Sequence, residues 1–432
     1  MAGYEDFIDM DYKPDSHDVI ASFRVKVPRW SSSKRAWGAV AAESSVGTWS
    51  PLKAMNYAHV KKVAAKVFEA KGEWIKIAYP EEHFEEGNMS QILASIAGNV
   101  FGMKAVGALR LEDMQFTKKI IKSFPGPQFG RNGVRNIFKE YKRPLMLSVA
   151  KPKVGLTTKE HVEVGRQIWE GGLDLLKDDE NLADQKFNPF KKRVVDSLKV
   201  RDKIEKNTGE KKSYLINITG PNVKEMEKRA KFIKEQGGEY AMIDIVTTGW
   251  AAVASVREIC QDLGLAIHAH RAMHGAMTRV PTHGFSMNCV AKCIRLLGVD
   301  QFHIGTANVG KLVGTVEETV HHEQQITQDN VAENSKLHCL EQKWFGMKPV
   351  FPVSSGGLHP LLVDKVMDKL GIDIMLQIGG GIHGHPNGSY AGAKAMREAV
   401  EAYMAGTDLA VAAKKCEELK VALDYWGRKG TR

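Results

Sequence analysis

The chain of 432 residues carries 61 lysines and arginines against 51 aspartates and glutamates, a formal net charge of +10, with 43% hydrophobic residues. That length exceeds one ordinary core and predicts two globular domains. Basic and acidic residues are interspersed, and the short runs Lys191-Lys192-Arg193 and Lys211-Lys212 lack interleaved aromatics, so they read as solvated helix ends rather than a nucleic-acid groove, and a phosphorylated small substrate suits the positive excess better.

In chain order, residues 1–126 mix candidate strands at 19–27, 75–78 and 106–112 with candidate helices at 55–71 and 90–100, the pattern of a small α+β domain. The N-terminus has neither a basic start nor a long apolar run, and no stretch of about 18 apolar residues occurs elsewhere, so a soluble cytoplasmic chain without membrane contact is expected. The cluster Phe124-Pro125-Gly126-Pro127 breaks both regular structures and marks a boundary, with a second domain at 127–432. From Leu145 onward a short apolar run, a polar or glycine-rich turn and a longer helical pattern recur eight times. The runs begin at Leu145, Leu173, Tyr214, Tyr240, Leu265, Gln301, Pro349 and Ile372. Continuous apolar runs suit parallel strands buried on both faces, and the span to about residue 404 is close to what a (β/α)8 TIM barrel uses. Cysteines 260, 289, 293, 339 and 416 are odd in number and scattered, which argues for a reducing compartment and against a disulfide framework. Cys289 and Cys293 lie four apart on a probable helix without a matching Cys or His pair, so they read as core and not as a zinc site.

Reacting groups of such a barrel lie at the C-terminal ends of its strands. Strand one closes with Lys151-Pro152-Lys153, strand two with Lys177-Asp178-Asp179-Glu180, strand five with His270-Arg271 and His274, strand six with His303, strand seven with Ser354-Ser355-Gly356-Gly357 and strand eight with Gly379-Gly380-Gly381. Singly, each has a plain reading as loop charge, core histidine or tight turn. Their coincidence at one rim is what favours a site. Lys177 stands out, because it sits among carboxylates where an apolar run stops. Burial lowers a lysine's proton affinity, and a neutral amine can react with carbon dioxide to give an anionic carbamate. Lys177 and Asp179 fall on alternate residues and point the same way in an extended chain. Carbamylated Lys177, Asp179 and Glu180 would then form a hard oxygen set suited to Mg²⁺; the plain alternative is an acidic turn with Lys177 as counter-ion. Gly379 to Gly381 and Gly356-Gly357 leave backbone N–H groups free to grip phosphate, with Arg271 a planar donor and His303 on the facing side. The loop Gly305-Thr306-Ala307-Asn308-Val309-Gly310-Lys311 could close as a lid carrying a cation. His268 and His270 share a strand face and suggest a zinc amidohydrolase as a rival, while His321-His322-Glu323 reads as a solvent-exposed helical stretch.

These residues, in this order, resemble ribulose-1,5-bisphosphate carboxylase/oxygenase (RuBisCO) large chains over residues 22–406. The motifs are Ala42-Glu43-Ser44-Ser45 with Gly47-Thr48-Trp49, Gly98-Asn99-Val100-Phe101-Gly102, Lys151-Pro152-Lys153-Val154-Gly155, Gly171 to Glu180, His270-Arg271-Ala272-Met273-His274, Gly310-Lys311, Ser355-Gly356-Gly357 and Gln377 to Gly381. The chain looks most like the archaeal-type form III enzymes, which implies an N-terminal ferredoxin-like domain before the barrel and an assembly without small subunits. The resemblance implies carbamylated Lys177, Asp179 and Glu180 as Mg²⁺ ligands, with carbon dioxide as activator. It casts Lys151 as an acid/base, Lys153 as its support, His270 as a proton-transfer group and Lys311 as the cation that stabilises the new carboxylate. Arg271, His303 and Ser355 would hold one end of ribulose bisphosphate, and Thr48, Trp49, Gly356, Gly357, Gly379 and Gly380 the other. Glu43, Thr48, Trp49 and Asn99 would come from the partner in an antiparallel homodimer or an assembly of dimers. The implied reaction is enolisation at C3 and attack of C2 on carbon dioxide, then hydration and cleavage to two 3-phosphoglycerates, with dioxygen as a competing substrate. The lid segment from His303 to Lys311 is one residue longer than in plant-type chains, and Leu175 and Leu176 replace their Phe-Thr. A RuBisCO-like enolase or isomerase of sulfur salvage is the nearest rival, but such relatives usually alter the positions of Lys151 or Lys311, and both are kept here. A non-catalytic scaffold is the third reading.

Overall fold

Asp113 shows why the first half of the chain does not fold on consecutive residues alone. Its carboxylate is fully buried and accepts from Lys292 Nζ at 2.8 and 2.9 Å and from the Leu340 amide at 2.7 Å, so one side chain ties two later segments to its strand. The computed structural model, which describes residues 3–48, 50, 52–311 and 313–429, accordingly packs as two compact units. The first comprises 1–126 with 273–297 and 328–347; the second comprises 127–272, 298–327 and 348–432. The chain first changes unit between Gly126 and Pro127, but the uninterrupted 127–432 domain expected from sequence is broken by two returns to the first unit. The helix Met287–Leu297 is buried along its whole length, and Lys292 on it pairs with Asp113.

The first unit carries strands β1 (Asp18–Lys26), β2 (Lys66–Lys71), β3 (Trp74–Pro80) and β4 (Ala108–Gln115), in the order β4-β1-β3-β2, all antiparallel. The short strand Gly284–Phe285 adds to β4 in parallel and makes the sheet mixed. The α+β unit therefore has the expected class, but residues 55–71 are not one helix. They split into the 3-10 turn Lys53–Asn56, the short helix Ala58–Lys62 and β2. Lysine and alanine favour helix locally, yet Val67 alternates with less buried neighbours, and Gly72 at φ +63 turns the chain directly into β3. Tertiary pairing overrides propensity here. The helix Ser33–Glu43, absent from the expectation, is capped by Ser32, whose side chain accepts from the Arg35 amide. The other expected helix forms over Met89–Ile96.

The second unit is the barrel. Its strands are β5 (Leu145–Val149), β6 (Leu175–Lys177), β7 (Ser213–Asn217), β8 (Tyr240–Asp244), β9 (Ala266–His270), β10 (Gln301–His303), β11 (Phe351–Ser355) and β12 (Met375–Ile378). They close in the order β10-β11-β12-β5-β6-β7-β8-β9. All eight lie where the apolar runs predict, because strands covered on both faces need unbroken apolar sequence. Leu147, Leu175, Leu215, Tyr240, Phe351, Val353 and Met375 fill one buried cluster, joined by Val134 and Phe138 from the helix Gly130–Phe138. The register then sets the rim: Val149 pairs with Lys177, Lys177 with Leu215, Asp244 with His270, and Ser355 with Gln377.

Three surface readings change. Lys191 and Lys192 are exposed, but Arg193 and Lys212 are fully buried, held by Asp178 and Glu210 respectively. His321 is buried beside Gln325, not solvated. Among the described residues no helix is long and apolar enough to cross a membrane. All five cysteines are buried and free.

Candidate active site

Strand β6 delivers Lys177 to the rim with no exposed side-chain surface. Its Nζ donates to the Asp178 carbonyl at 2.8 Å and lies 3.8 Å from Glu180 Oε2. Burial pushes the ammonium below the ordinary lysine range, against the opposing pull of Glu180, Asp179 and two further aspartates. Burial of an amine favours its neutral form. Asp179 is buried as well and accepts from Lys151 Nζ at 2.8 Å and Asn181 Nδ2 at 2.8 Å. Its burial works to raise the carboxyl, but Lys151 and Asn181 outweigh it and keep Asp179 below the usual carboxylate value. Glu180 behaves likewise: burial raises it, while Lys177 and His270 bring it down overall. Lys153 is mostly exposed and reaches Glu180 Oε1 at 3.7 Å. The Lys151 stem passes over Gly379, where an added Cβ would stand 3.2 Å from Lys151 Cε.

The next contacts run around the rim. His270 Nε2 lies 3.6 Å from Glu180 Oε2, and its Nδ1 lies 3.3 Å from Asp244 Oδ1 while accepting from the Ala272 amide at 3.1 Å. Nδ1 therefore faces both Asp244 and the Ala272 amide, and Nε2 faces Glu180. Burial and Lys177 hold His270 below the ordinary histidine value. The His303 ring sits 4.9 Å from that of His270, and its Nδ1 contacts Ser355 Oγ at 2.8 Å. Burial, with His270 and His268 adjacent, keeps His303 neutral. Arg271 is buried and, among the described residues, has no carboxylate within ion-pair distance; burial alone pushes its guanidinium down to about 10. A buried cation of this kind is a ready seat for an anion.

The glycine turns close the ring of contacts. Lys311 is exposed, but its backbone amide donates to the Gly356 carbonyl at 2.9 Å. A Cβ on Gly310 would lie 1.9 Å from that carbonyl oxygen, and one on Gly357 (φ +80) would lie 2.8 Å from Lys311 Cγ. The lid segment therefore rests on the β11 turn because both positions lack side chains. Gly356 has φ +124 and Gly380 has open space where a Cβ would be. Lys151, Lys153, Lys177, Asp179, Glu180, His270, Arg271, His303, Lys311, Ser355, Gly356, Gly357, Gly379 and Gly380 all belong to the second unit. Glu43, Thr48 and Asn99 belong to the first: Glu43 ends the helix Ser33–Glu43, which lies against the turn Asn99–Gly102. Trp49 lies outside the described residues.

Two rim residues escaped the sequence reading. Asn217 and Asp244 end β7 and β8, the strands credited with no chemistry, and the rule applied to the other six would have found both. Asn217 Nδ2 holds the Leu182 carbonyl at 3.0 Å; Asp244 Oδ1 is buried and, among the described residues, has no hydrogen-bond partner. His268, weighed as a zinc ligand, has its two nitrogens engaged by Gln301 at 2.9 Å and His303 at 3.0 Å. Among the described residues no three His, Cys, Asp or Glu side chains cluster closely enough to hold a metal. Asp179 and Glu180 bring two carboxylates to the end of β6 beside Lys177.

Comparison with known proteins identifies the family of the chain. Residues 131–426 match the family described as ribulose bisphosphate carboxylase large chain, catalytic domain, and residues 6–120 match the N-terminal domain of the same large chain. The ribulose bisphosphate carboxylase of Methanocaldococcus jannaschii is 47% identical over 430 residues, covering 98% of this chain and 100% of that protein. That of Pyrococcus abyssi is 47% identical over 429 residues, covering 98% and 97%. Among solved structures, the dimeric archaeal Rubisco from Hyperthermus butylicus superposes with a TM-score of 0.92 at 45% identity, covering 98% of this chain and 99% of that one. The octameric enzyme from Pyrococcus horikoshii, in complex with sulfate, gives 0.91 at 46% identity with 98% and 97% covered.

Proposed function

The chain belongs to the ribulose bisphosphate carboxylase large-chain family, and from that premise we propose how its own residues divide the reaction. It is a ribulose bisphosphate carboxylase of archaeal type, a carbon–carbon lyase that joins carbon dioxide to ribulose 1,5-bisphosphate and, with water, yields two 3-phosphoglycerates. The observation that carries the residue assignments is the fully buried Lys177 amine at a strand end beside Asp179 and Glu180.

Lys177, whose burial favours the neutral amine, adds through Nζ to carbon dioxide and releases one proton, gaining the oxygen that would complete an all-oxygen set with Asp179 and Glu180. Carbamylated Lys177, Asp179 and Glu180 would hold Mg²⁺, which would supply positive charge near the enolising substrate. Lys151, held by Asp179, keeps a proton at Nζ for the reacting carbons, and Lys153 supports it from the same loop. His270 moves a proton at Nε2. Arg271, His303 and Ser355 bind one phosphate end, and the backbone of Gly356, Gly357, Gly379 and Gly380 binds the other, with Thr48 and Trp49 contributed by the partner. Glu43 and Asn99 complete the site from that partner, so the smallest active unit is a homodimer; larger assemblies of dimers need no small subunit. Lys311, carried on the lid, brings its charge to the new carboxylate. The same enediolate reacts with dioxygen as a side reaction. We place the enzyme in the cytoplasm.

The test incubates purified protein anoxically with Mg²⁺, labelled bicarbonate and ribulose bisphosphate. Labelled 3-phosphoglycerate is expected, and its absence rejects the assignment.

A further inference from the structure

The first carboxylate of the Lys177-Asp178-Asp179-Glu180 run bonds to Tyr214, Arg193 and the Asn217 amide and not to the other rim side chains. Asp178 is fully buried. Its Oδ1 accepts from Tyr214 Oη and lies 3.2 Å from Arg193 Nε. Its Oδ2 accepts from the Asn217 amide at 3.0 Å and from a terminal nitrogen of Arg193 at 3.3 Å. Arg193 is itself fixed, donating to the carbonyls of Asn188 and Ala183 at 2.8 Å each, and His161 Nε2 stands 3.0 Å from Tyr214 Oη. The main chain of Asp178 is equally committed: its amide donates to the Leu215 carbonyl at 3.0 Å, and its carbonyl receives the Lys177 ammonium at 2.8 Å.

Side chains alternate along an extended segment, so holding residue 178 on one side holds 177 and 179 on the other, and the turn at 180–181 brings Glu180 Oε2 back to 3.8 Å from Lys177 Nζ. We propose that Asp178 is the positioning residue of the metal-binding segment: Tyr214, Arg193 and the Asn217 amide clamp its carboxylate behind the barrel rim, which fixes the peptide that receives Lys177 and turns Lys177, Asp179 and Glu180 toward a common point. The inference rests on the ligand assignment proposed above. It gives Asp178 no contact with substrate or metal. It also accounts for the burial of Tyr214 and Arg193 behind a site they do not touch, since a ligand set is only as well placed as the groups supporting it.

The test uses the full-length protein and Mn²⁺ with bicarbonate, reading bound Mn²⁺ by electron paramagnetic resonance instead of turnover. Tyr214→Phe deletes one clamp bond and keeps the ring. It is expected to weaken bicarbonate-dependent Mn²⁺ binding about tenfold while KM for ribulose bisphosphate stays within about twofold. Asp178→Asn is expected to weaken it further. Unchanged Mn²⁺ affinity in folded Tyr214→Phe overturns the proposal. If instead the parent protein binds no bicarbonate-dependent Mn²⁺, or Lys177→Ala binds it equally well, the ligand assignment itself fails. Should the variants not fold, a crystal structure of the parent protein with Mn²⁺ and bicarbonate decides: Asp178 on Tyr214 and Arg193 supports the clamp, and Asp178 bonded to the ion overturns it.

Discussion

Arg271→Met should stabilise the substrate-free protein and disable substrate binding, a pairing that a structural arginine would not give. Burial pushes the guanidinium well below the ordinary arginine value, down to about 10. At about 1.4 kcal/mol per tenfold change in proton affinity, that sets roughly 3 kcal/mol against holding the charge there. Methionine fills similar space without charge, so a gain of about 1–3 kcal/mol is expected once lost dipole contacts are allowed for. A chain of 432 residues, at about 2.1 cal/mol/K of unfolding entropy per residue, converts this to a rise of about 1–3 °C in Tm. The folded value lies below the unfolded one, so the penalty is fully present below about 10 and lifts only as pH rises through it. Between pH 6 and 9 the gain should therefore not vary. Differential scanning fluorimetry with and without ribulose bisphosphate reads both halves: the parent should gain stability from the ligand and the variant should lose most of that gain, with KM raised about 100-fold or more. A variant that melts below the parent without ligand, or keeps the ligand-induced shift, would refute the reasoning.

Other outcomes follow from the same geometry. Because burial holds Lys177 below the ordinary lysine value, its neutral fraction should grow about tenfold per pH unit until that lowered value is reached. The rate of activation by carbon dioxide should climb with pH and level off below 10.5, the free-lysine value, and a climb that continues past it would contradict the burial argument. Lys292→Met leaves Asp113 buried without its counter-charge and should cost about 3–5 kcal/mol in denaturant titration, largely recovered by adding Asp113→Asn; no loss would mean that the pair does not secure the helix Met287–Leu297. Gly310→Ala puts a Cβ 1.9 Å from the Gly356 carbonyl oxygen, so the lid segment must shift. We expect kcat/KM to fall at least about tenfold with Tm nearly unchanged, and an unaltered kcat/KM would show that the seating of Lys311 does not matter.

The barrel was legible because the apolar runs at its eight strands are continuous, and the rim because polar residues stop them. Lys177, Glu180, His270, His303 and Ser355 follow one another in a chain of contacts in the structure, and Asp179 bonds to Lys151. What the sequence concealed depends on partners distant in the chain. Arg193 and Lys212 look solvated until Asp178 and Glu210 are seen beside them. Residues 66–71 carry helix-favouring lysine and alanine, and only pairing with β3 makes them a strand. The segments that interrupt the barrel unit are tied to their sheet by Asp113, Arg110 and Gln342, whose local sequence shows nothing of those distant partners.

The most direct measurement is a crystal structure of the protein activated with bicarbonate and Mg²⁺. Density for a carboxyl group on Lys177 Nζ, with a divalent ion between it, Asp179 and Glu180, is expected, the amine having left the Asp178 carbonyl. An unmodified Lys177 still donating to that carbonyl in crystals that turn over ribulose bisphosphate would contradict the mechanism at its root.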